Sequence, residues 1–159
     1  MDIQIRKATD QDAPAIAELL RSLELFAHIQ AQTPETVREQ VSLNLGLCTA
    51  NNSHSVYVAQ DSDGITLGYC AVHWLPYLLF PGPEGYVSEL FLRESSRGLG
   101  IGGQLLKTAT AEAKKRGCSR MMLLNLRDRE SYKRGFYKKQ GWKERQEAIN
   151  FLLKMGEGS

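Results

Sequence analysis

The chain has 159 residues, of which 42% are hydrophobic and 24% charged, and its formal net charge is +2. This length and composition predict a single globular domain over residues 1–159. The balanced charge argues against nucleic acid as a partner, and no apolar run approaches the ~18 residues of a membrane-spanning helix.

The cysteines and the N-terminus bear on the cellular compartment. Cys48, Cys70 and Cys118 are scattered along the chain and show neither CxxC nor metal-ligand spacing. The N-terminal sequence MDIQIRKATD also lacks the apolar core of a signal peptide. We therefore expect a cytoplasmic protein with reduced thiols and no bound metal.

The first half of the chain predicts three strands and two helices. Polar and apolar residues alternate over residues 2–8, and Thr9 or Asp10 and then Thr33 with Pro34 are helix-start signals. In chain order the elements are strand 2–8, helix 11–25, a helix from Pro34 that fades near 46–52, strand 55–60 and strand 65–74. A turn at 61–64 joins the last two strands into an antiparallel hairpin.

The second half continues after an apolar loop around residues 77–80. Its elements are strand 85–92, helix 102–116, strand 119–126, helix 128–140 and one or two strands over 142–153. The order is β-α-α-β-β-β-α-β-α-β, which is an α/β (α+β) chain. The strand–helix–strand unit should form a right-handed parallel crossover, so we predict a mixed sheet.

Glycines are concentrated in SSRGLGIGGQLL, residues 95–106, where four of the chain's fourteen glycines lie within 98–103. Such density costs conformational entropy unless the backbone must turn tightly or come close to a ligand. A glycine turn between a strand and a helix presents unpaired N–H groups at the positive end of the helix dipole. The pattern predicts a site for a phosphate or pyrophosphate, and a tight turn without a ligand is the alternative.

Two common phosphate-binding motifs fit this window poorly. A nucleoside-triphosphate loop needs Lys and Ser or Thr where Gln104 and Leu105 stand. A dinucleotide fold should carry its GxGxxG motif in its first strand–helix unit, whereas here the motif comes late. Residues 118–127 also hold no acidic ribose ligand, and only Asp128, near a strand end, keeps a dinucleotide possible.

A third possibility, coenzyme A, is supported by a family resemblance. Residues 97–102 fit the pattern (Arg/Gln)-x-x-Gly-x-(Gly/Ala), within the longer stretch GYVSELFLRESSRGLGIGGQLL. Together with GFYKKQGW at 135–142, this stretch resembles the GNAT superfamily of acetyl-CoA-dependent N-acetyltransferases. The resemblance implies a mostly antiparallel sheet with helices on both faces, acetyl-CoA as cosubstrate and transfer of the acetyl group to a primary amine.

The resemblance also assigns roles in cosubstrate binding. It places the pyrophosphate on the backbone amides of the glycine turn, and the pantetheine arm along the backbone of the preceding strand. The implied pyrophosphate residues are Arg97, Gly98, Leu99, Gly100, Ile101, Gly102 and Gly103, and the implied pantetheine residues are Leu90, Phe91, Leu92 and Asn125. Arg97 would help to neutralise the phosphate charge.

Two residues are candidates for catalysis. Tyr137 is the tyrosine of the second motif, and the resemblance implies that its phenol protonates the departing thiolate, although helical spacing alone would make it a core aromatic. Glu89 is the candidate base, because an amine must lose a proton before it attacks. By strand alternation Glu89 shares a face with Val87 and Phe91. His73 is the fallback base.

Several expectations concern partners and departures from the family pattern. Many family members have Asn seven residues before the Tyr, and here Glu130 stands there. The acceptor should bind near Phe26, His28 and the 74–86 loop. We expect a small-molecule amine, with a protein lysine or N-terminus, or a CoA-binding module without turnover, as alternatives. Homodimers are frequent in the resembling family.

Overall fold

The computed structural model describes residues 2–156. Its strands are β1 (Gln4–Lys7), β2 (His54–Gln60), β3 (Thr66–Leu75), β4 (Glu84–Leu92) and β5 (Arg120–Leu123), and its helices are α1 (Ala13–Ser22), α2 (Ala27–Gln30), α3 (Pro34–Thr49), α4 (Ile101–Lys115), α5 (Glu130–Lys133) and α6 (Phe136–Lys139). Up to residue 123 every predicted strand and helix is confirmed within a few residues. The short helix α2 was not predicted from the sequence.

The five strands form one mixed sheet in the order β1-β2-β3-β4-β5. The first three neighbouring pairs are antiparallel, and β5 pairs in parallel with β4. The α4 helix provides the crossover between these two parallel strands, as predicted. The mostly antiparallel sheet expected from the sequence is therefore confirmed.

Helices α1 and α3 cover one face of the sheet. Their apolar sides pack onto Val56 and Val58 of β2 and Tyr69 and Ala71 of β3. The α3 helix begins as predicted, because the Thr33 hydroxyl accepts a hydrogen bond from the Thr36 N–H and Pro34 fills the first helical position. These contacts form the main apolar core.

The α4 helix packs on the opposite face, where the alternate residues of β2 and β3 point. Its Glu112 side chain accepts hydrogen bonds from Ser55 of β2 at 3.0 Å, from Arg116 at 2.7 Å and from Lys7 of β1 at 3.1 Å. The Trp74 indole N–H in turn donates to the Ser55 hydroxyl at 3.0 Å. This network fixes the position of α4 against three strands.

The chain divides into two compact units, residues up to 124 and residues from 125 onward. In the second unit, the prediction of one continuous helix over 128–140 is wrong, because two short helices are found there. Gly135 adopts a left-handed conformation with φ of 65° and separates α5 from α6. A single continuous helix cannot contain that conformation.

The strands predicted over 142–153 are also not found. A strand needs a neighbouring backbone to pair with, and the described residues from 125 to 156 form no strand. The apolar side chains that suggested a strand are exposed instead, namely Ile149, Phe151, Leu152 and Leu153. Among residues 2–156, no helix combines the length and apolar character needed to cross a membrane.

Candidate active site on strand β4

The end of β4 has a free backbone edge. Strands β4 and β5 pair only from Glu84 with Arg120 to Val87 with Leu123. From residue 88 to Leu92, β4 pairs with β3 on one side and has no partner strand among the described residues on the other. An extended ligand can therefore add along this edge as a further strand would.

A β-bulge lies where this free edge begins. Ala71 of β3 pairs with Glu89, whereas the next residue, Val72, pairs with Val87, so Ser88 is an extra residue in β4. Residues directly opposite each other share a face. Glu89 therefore lies on the face of Ala71, opposite to that of Val87, which corrects the prediction that Glu89 and Val87 share a face.

Downstream of β4, the glycine turn leads into α4. Gly98 has φ of 80° and Gly100 has φ of 78°, the left-handed region that glycine alone adopts without strain. Gly100 is the residue that precedes α4, and it provides no side-chain cap to the first turn. The amides of Ile101, Gly102 and Gly103 are consequently left without intrahelical partners.

This turn has the features of an anion-binding site. A Cβ placed on Gly98 or Gly100 would meet no atom within 4 Å, so the backbone there faces open space. Arg97 is exposed, and its guanidinium forms no ion pair with any residue from 2 to 156. Free amides at a helix N-terminus beside an uncommitted cation are suited to an anionic ligand.

Glu89 is the only carboxylate on the open part of β4. Its side chain is half-buried, and its Oε1 accepts a hydrogen bond from the Tyr69 hydroxyl at 3.2 Å. Burial raises the pKa of Glu89, and the hydrogen bond from Tyr69 partly opposes that rise. A carboxylate with a raised pKa is suited to accept a proton near neutral pH.

A polar cluster continues this face of the sheet. His73 Nε2 lies 2.9 Å from the Ser88 hydroxyl, and the rings of His73 and His54 are 4.4 Å apart. Tyr86 lies directly opposite His73. Burial lowers the pKa of His73, and the neighbouring His54 lowers it further. His73 is therefore neutral at pH 7 and able to share a proton with Ser88.

The second unit holds the remaining predicted residues. Tyr137 lies on α6, with its ring 4.9 Å from that of Phe136 and 6.4 Å from that of Trp142. Asn125 lies beyond the end of β5, not on the strand as predicted, and its Oδ1 accepts a hydrogen bond from Ser131 at 3.1 Å. Glu130, which replaces the usual Asn, is exposed.

Sequence reasoning missed three residues around Glu89, namely Tyr69, Ser88 and His54. Alternation within residues 65–74 places Tyr69 and His73 on one face, which is a signal that was available. Which residue of β4 each one meets depends on the bulge at Ser88 and on the pairing of distant strands. Among residues 2–156, no group of three or more His, Cys, Asp or Glu side chains is arranged to hold a metal ion.

The half-buried carboxylate, the free strand edge and the glycine turn follow one another along the chain from β4 to the start of α4 in this α/β fold. A sequence model of the acetyltransferase (GNAT) family matches residues 16–142, well over half of the chain. The chain therefore belongs to the acetyltransferase (GNAT) family.

Solved structures confirm the fold. A transcriptional regulator from Bacillus halodurans C-125 has 23% identity and a TM-score of 0.82, over 96% of this chain and 100% of its own. Glucosamine-6-phosphate N-acetyltransferase from Arabidopsis thaliana has 18% identity and a TM-score of 0.76, over 98% and 100%. Ribosomal-protein-alanine N-acetyltransferase from Brucella melitensis biovar Abortus 2308 has 18% identity and a TM-score of 0.75, over 97% and 100%. Comparison with curated protein sequences found no match.

Proposed function

We propose that this protein is a cytoplasmic N-acetyltransferase that transfers the acetyl group of acetyl-CoA directly to a primary amine of a small molecule. One observation carries the proposal. The half-buried Glu89 lies on the same strand whose next residues have a free backbone edge and lead to the glycine turn. All three cysteines are free thiols, which supports a reducing compartment.

Acetyl-CoA, when bound, supplies an acetyl group activated as a thioester. The backbone amides of 98–103 would hold its pyrophosphate, with Arg97 adding positive charge. The free edge of Leu90, Phe91 and Leu92 would pair with the amide groups of the pantetheine arm. Asn125 retains an amide NH₂ that can donate to the same arm, as the family resemblance implies.

Glu89 is proposed as the general base. An alkyl ammonium has a pKa near ~10.4, so very little of the amine is neutral at pH 7. The carboxylate accepts one proton from the ammonium, which leaves a neutral amine with a free electron pair. His73 is a second candidate for this proton, because it is neutral at pH 7 and hydrogen-bonded to the exposed Ser88.

Tyr137 is proposed as the general acid, as the resemblance of residues 135–142 implies. Its hydroxyl would donate a proton to the thiolate released when the amine takes the acetyl group. A free thiol titrates near ~8.5, so a proton donor within hydrogen-bond distance favours its departure at neutral pH.

We place the acceptor along the polar cluster of His54, His73, Tyr86 and Ser88. The cluster shares the face of Glu89 and is partly exposed to solvent. Its imidazole and hydroxyl groups can donate and accept hydrogen bonds, which suits a hydroxylated small molecule. One fold relative is a glucosamine-6-phosphate N-acetyltransferase and another a ribosomal-protein-alanine N-acetyltransferase, so both small molecules and peptides belong in the test.

The test is a thiol-release assay with acetyl-CoA and a panel of amino sugars, aminoglycosides, polyamines, amino acids and peptides. We expect turnover with at least one small amine and confirmation of the N-acetyl product by mass spectrometry. Turnover with peptides alone would indicate a protein acetyltransferase. Thermal stabilisation by CoA with no turnover on any amine would indicate a binding module. Calorimetry that shows binding of ATP or a dinucleotide, but not of CoA, would refute the proposed cosubstrate.

A further inference from the structure

Tyr69 lies in the middle of β3, where it is 2% exposed. Its cross-strand partner is Phe91, which follows Glu89 by two residues on the same face of β4. The Tyr69 hydroxyl reaches diagonally across the strand pair and donates to Glu89 Oε1 at 3.2 Å. Tyr69 lies outside both family motifs, residues 85–106 and 135–142.

The Tyr69 ring is held in place by its neighbours. Its centroid is 6.0 Å from that of Phe91, and the Phe91 ring meets Phe26 edge-on at 5.0 Å. A ring that is 2% exposed and packed against a neighbouring aromatic side chain has little freedom to rotate. The position of the hydroxyl, and with it that of the hydrogen bond to Glu89, is therefore fixed by packing.

Two cysteine thiols lie within reach of the charge of Glu89 without forming hydrogen bonds to it, and Cys70, which lies between Tyr69 and Ala71 on β3, points to the opposite face of the sheet. Cys48 on α3 and Cys70 on β3 both have their pKa raised, first by burial and then by the charge of Glu89. Both thiols are therefore neutral at pH 7. Among residues 2–156, Tyr69 is the one side chain that donates a hydrogen bond to the Glu89 carboxylate. The Tyr69 hydroxyl fixes Oε1 of Glu89, whereas Oε2 accepts no hydrogen bond from these residues.

We propose that Tyr69 is a positioning residue that holds Glu89 Oε1 and directs Oε2 toward the amine whose proton it accepts. This inference rests on the proposed function, because it takes Glu89 as the general base. Tyr69 itself does not exchange a proton with the substrate. It acts through the orientation and basicity of the carboxylate.

The electrostatics of the pair agree with this role. Burial raises the pKa of Tyr69 well above its usual value, and Glu89 raises it further, so the phenol stays protonated. A hydrogen bond to the ionised carboxylate stabilises that form and lowers the pKa of Glu89. Loss of the hydroxyl would therefore raise the pKa of Glu89.

The test is the pH dependence of kcat/KM in Tyr69→Phe, measured with the best amine of the panel. The acid limb of the profile reports the base in the free enzyme. We expect this limb to move by about one pH unit toward higher pH, as loss of a hydrogen bond to a charged group predicts. The KM for acetyl-CoA should stay within about twofold of that of the unmodified protein.

Tyr57→Phe is the matched control. Tyr57 is a buried tyrosine on the neighbouring strand β2, next in sequence to Val56 and so on the opposite face of the sheet. Removal of the Tyr57 hydroxyl should not move the acid limb, because Tyr57 does not lie on the face of Glu89. An acid limb that is unchanged in a folded and active Tyr69→Phe variant would overturn the positioning role.

Glu89→Gln separates this inference from the proposed function. Activity and pH profile like those of the unmodified protein in Glu89→Gln would refute Glu89 as base. If Glu89→Gln loses activity while the acid limb of Tyr69→Phe stays in place, the positioning role of Tyr69 is refuted and Glu89 remains the proposed base. Should Tyr69→Phe fail to fold, 3-fluorotyrosine at position 69 keeps the ring and strengthens the donor. The acid limb should then move to lower pH, and an unchanged limb would overturn the inference.

Discussion

At the scale of single residues, the proposed acid catalysis depends on one functional group, the hydroxyl of Tyr137. The place of Tyr137 in GFYKKQGW indicates a catalytic role, whereas its helical spacing alone does not distinguish it from a core aromatic. Its proposed role requires the phenolic proton and no other part of the side chain. A substitution that removes only the oxygen is therefore the appropriate test.

We expect Tyr137→Phe to lower kcat at least about tenfold, because a general acid typically contributes that much or more. The variant keeps the ring that lies 4.9 Å from Phe136 and 6.4 Å from Trp142, and its melting temperature shows whether it stays folded. Steady-state kinetics over a range of amine concentrations provide the measurement. Tyr132→Phe is the control, because it also removes a tyrosine hydroxyl from this unit. That hydroxyl donates to Glu144 at 3.1 Å and has no proposed role in catalysis, so kcat should change little. Equal kcat in Tyr137→Phe and the unmodified protein would reject the acid role.

At the scale of elements, the geometry of β4 depends on its close approach to β3. Gly68 of β3 lies opposite Leu92, and a Cβ at Gly68 would lie 2.8 Å from the Phe91 carbonyl oxygen and would overlap the Leu92 side chain. The backbone of these residues forms the free edge proposed for pantetheine binding. The position of the edge therefore depends on the absence of a side chain at residue 68.

Gly68→Ala should destabilise the protein by about 1–3 kcal/mol, as overpacking of a core usually does. Because β4 must shift to relieve the contact, the affinity for acetyl-CoA should also fall. Denaturant unfolding and calorimetry measure the two effects. Gly46→Ala is the matched control: Gly46 lies within α3, where a Cβ would meet no atom within 4 Å, and alanine there should stabilise the helix. Unchanged stability and affinity in Gly68→Ala would contradict this expectation, because they would show that β3 and β4 can accommodate a methyl group at residue 68.

At the scale of the whole molecule, two carboxylates join neighbouring elements of the first unit: Asp12, just before α1, meets Arg6 of β1, and Glu112 of α4 meets β1 and β2. Asp12 accepts two hydrogen bonds from the Arg6 guanidinium, at 2.8 and 2.7 Å, and one from the Thr9 amide at 2.7 Å. These bonds, that from Arg6 most of all, lower the pKa of Asp12. Burial raises the pKa of Glu112, but its hydrogen bonds from Arg116, Lys7 and Ser55 outweigh that rise and lower it overall.

These shifts predict that the protein loses stability in acid. A carboxylate whose pKa is lower in the folded state contributes its full stabilisation above its unfolded-state pKa of about 4. That contribution disappears as the pH falls through the folded-state pKa. We expect Asp12→Asn to be less stable than the unmodified protein by about 1–2 kcal/mol at pH 7, since Arg6 is partly exposed.

Urea unfolding from pH 7 to pH 3 measures this difference. The two free energies of unfolding should approach each other below about pH 4, where Asp12 binds a proton in the unfolded chain but still resists it in the folded protein. Glu112→Gln should also be less stable than the unmodified protein at pH 7 and approach it in acid, because the hydrogen bonds of Glu112 likewise lower its pKa. A difference that is constant over the whole pH range would show that the charge of Asp12 does not carry the stabilisation.

Local pattern was sufficient for much of the first unit. Alternation and helix-start signals such as Thr33 with Pro34 act over a few residues, and the predicted elements up to residue 123 are found. Local pattern failed where the outcome depends on distant backbone. The apolar residues 149–153 read as a strand, but a strand exists only with a partner, and the described residues after 125 provide none.

The sequence by itself determined the glycine turn and its helix, because positive φ angles and free amides are properties of the local backbone. It also singled out Glu89 and the family to which the chain belongs. Only the tertiary structure decided which way Glu89 points and what it meets. The bulge at Ser88 breaks the alternation of β4, and the register with β3 brings Tyr69 to the carboxylate. Strand register joins residues twenty positions apart, and no local rule specifies it.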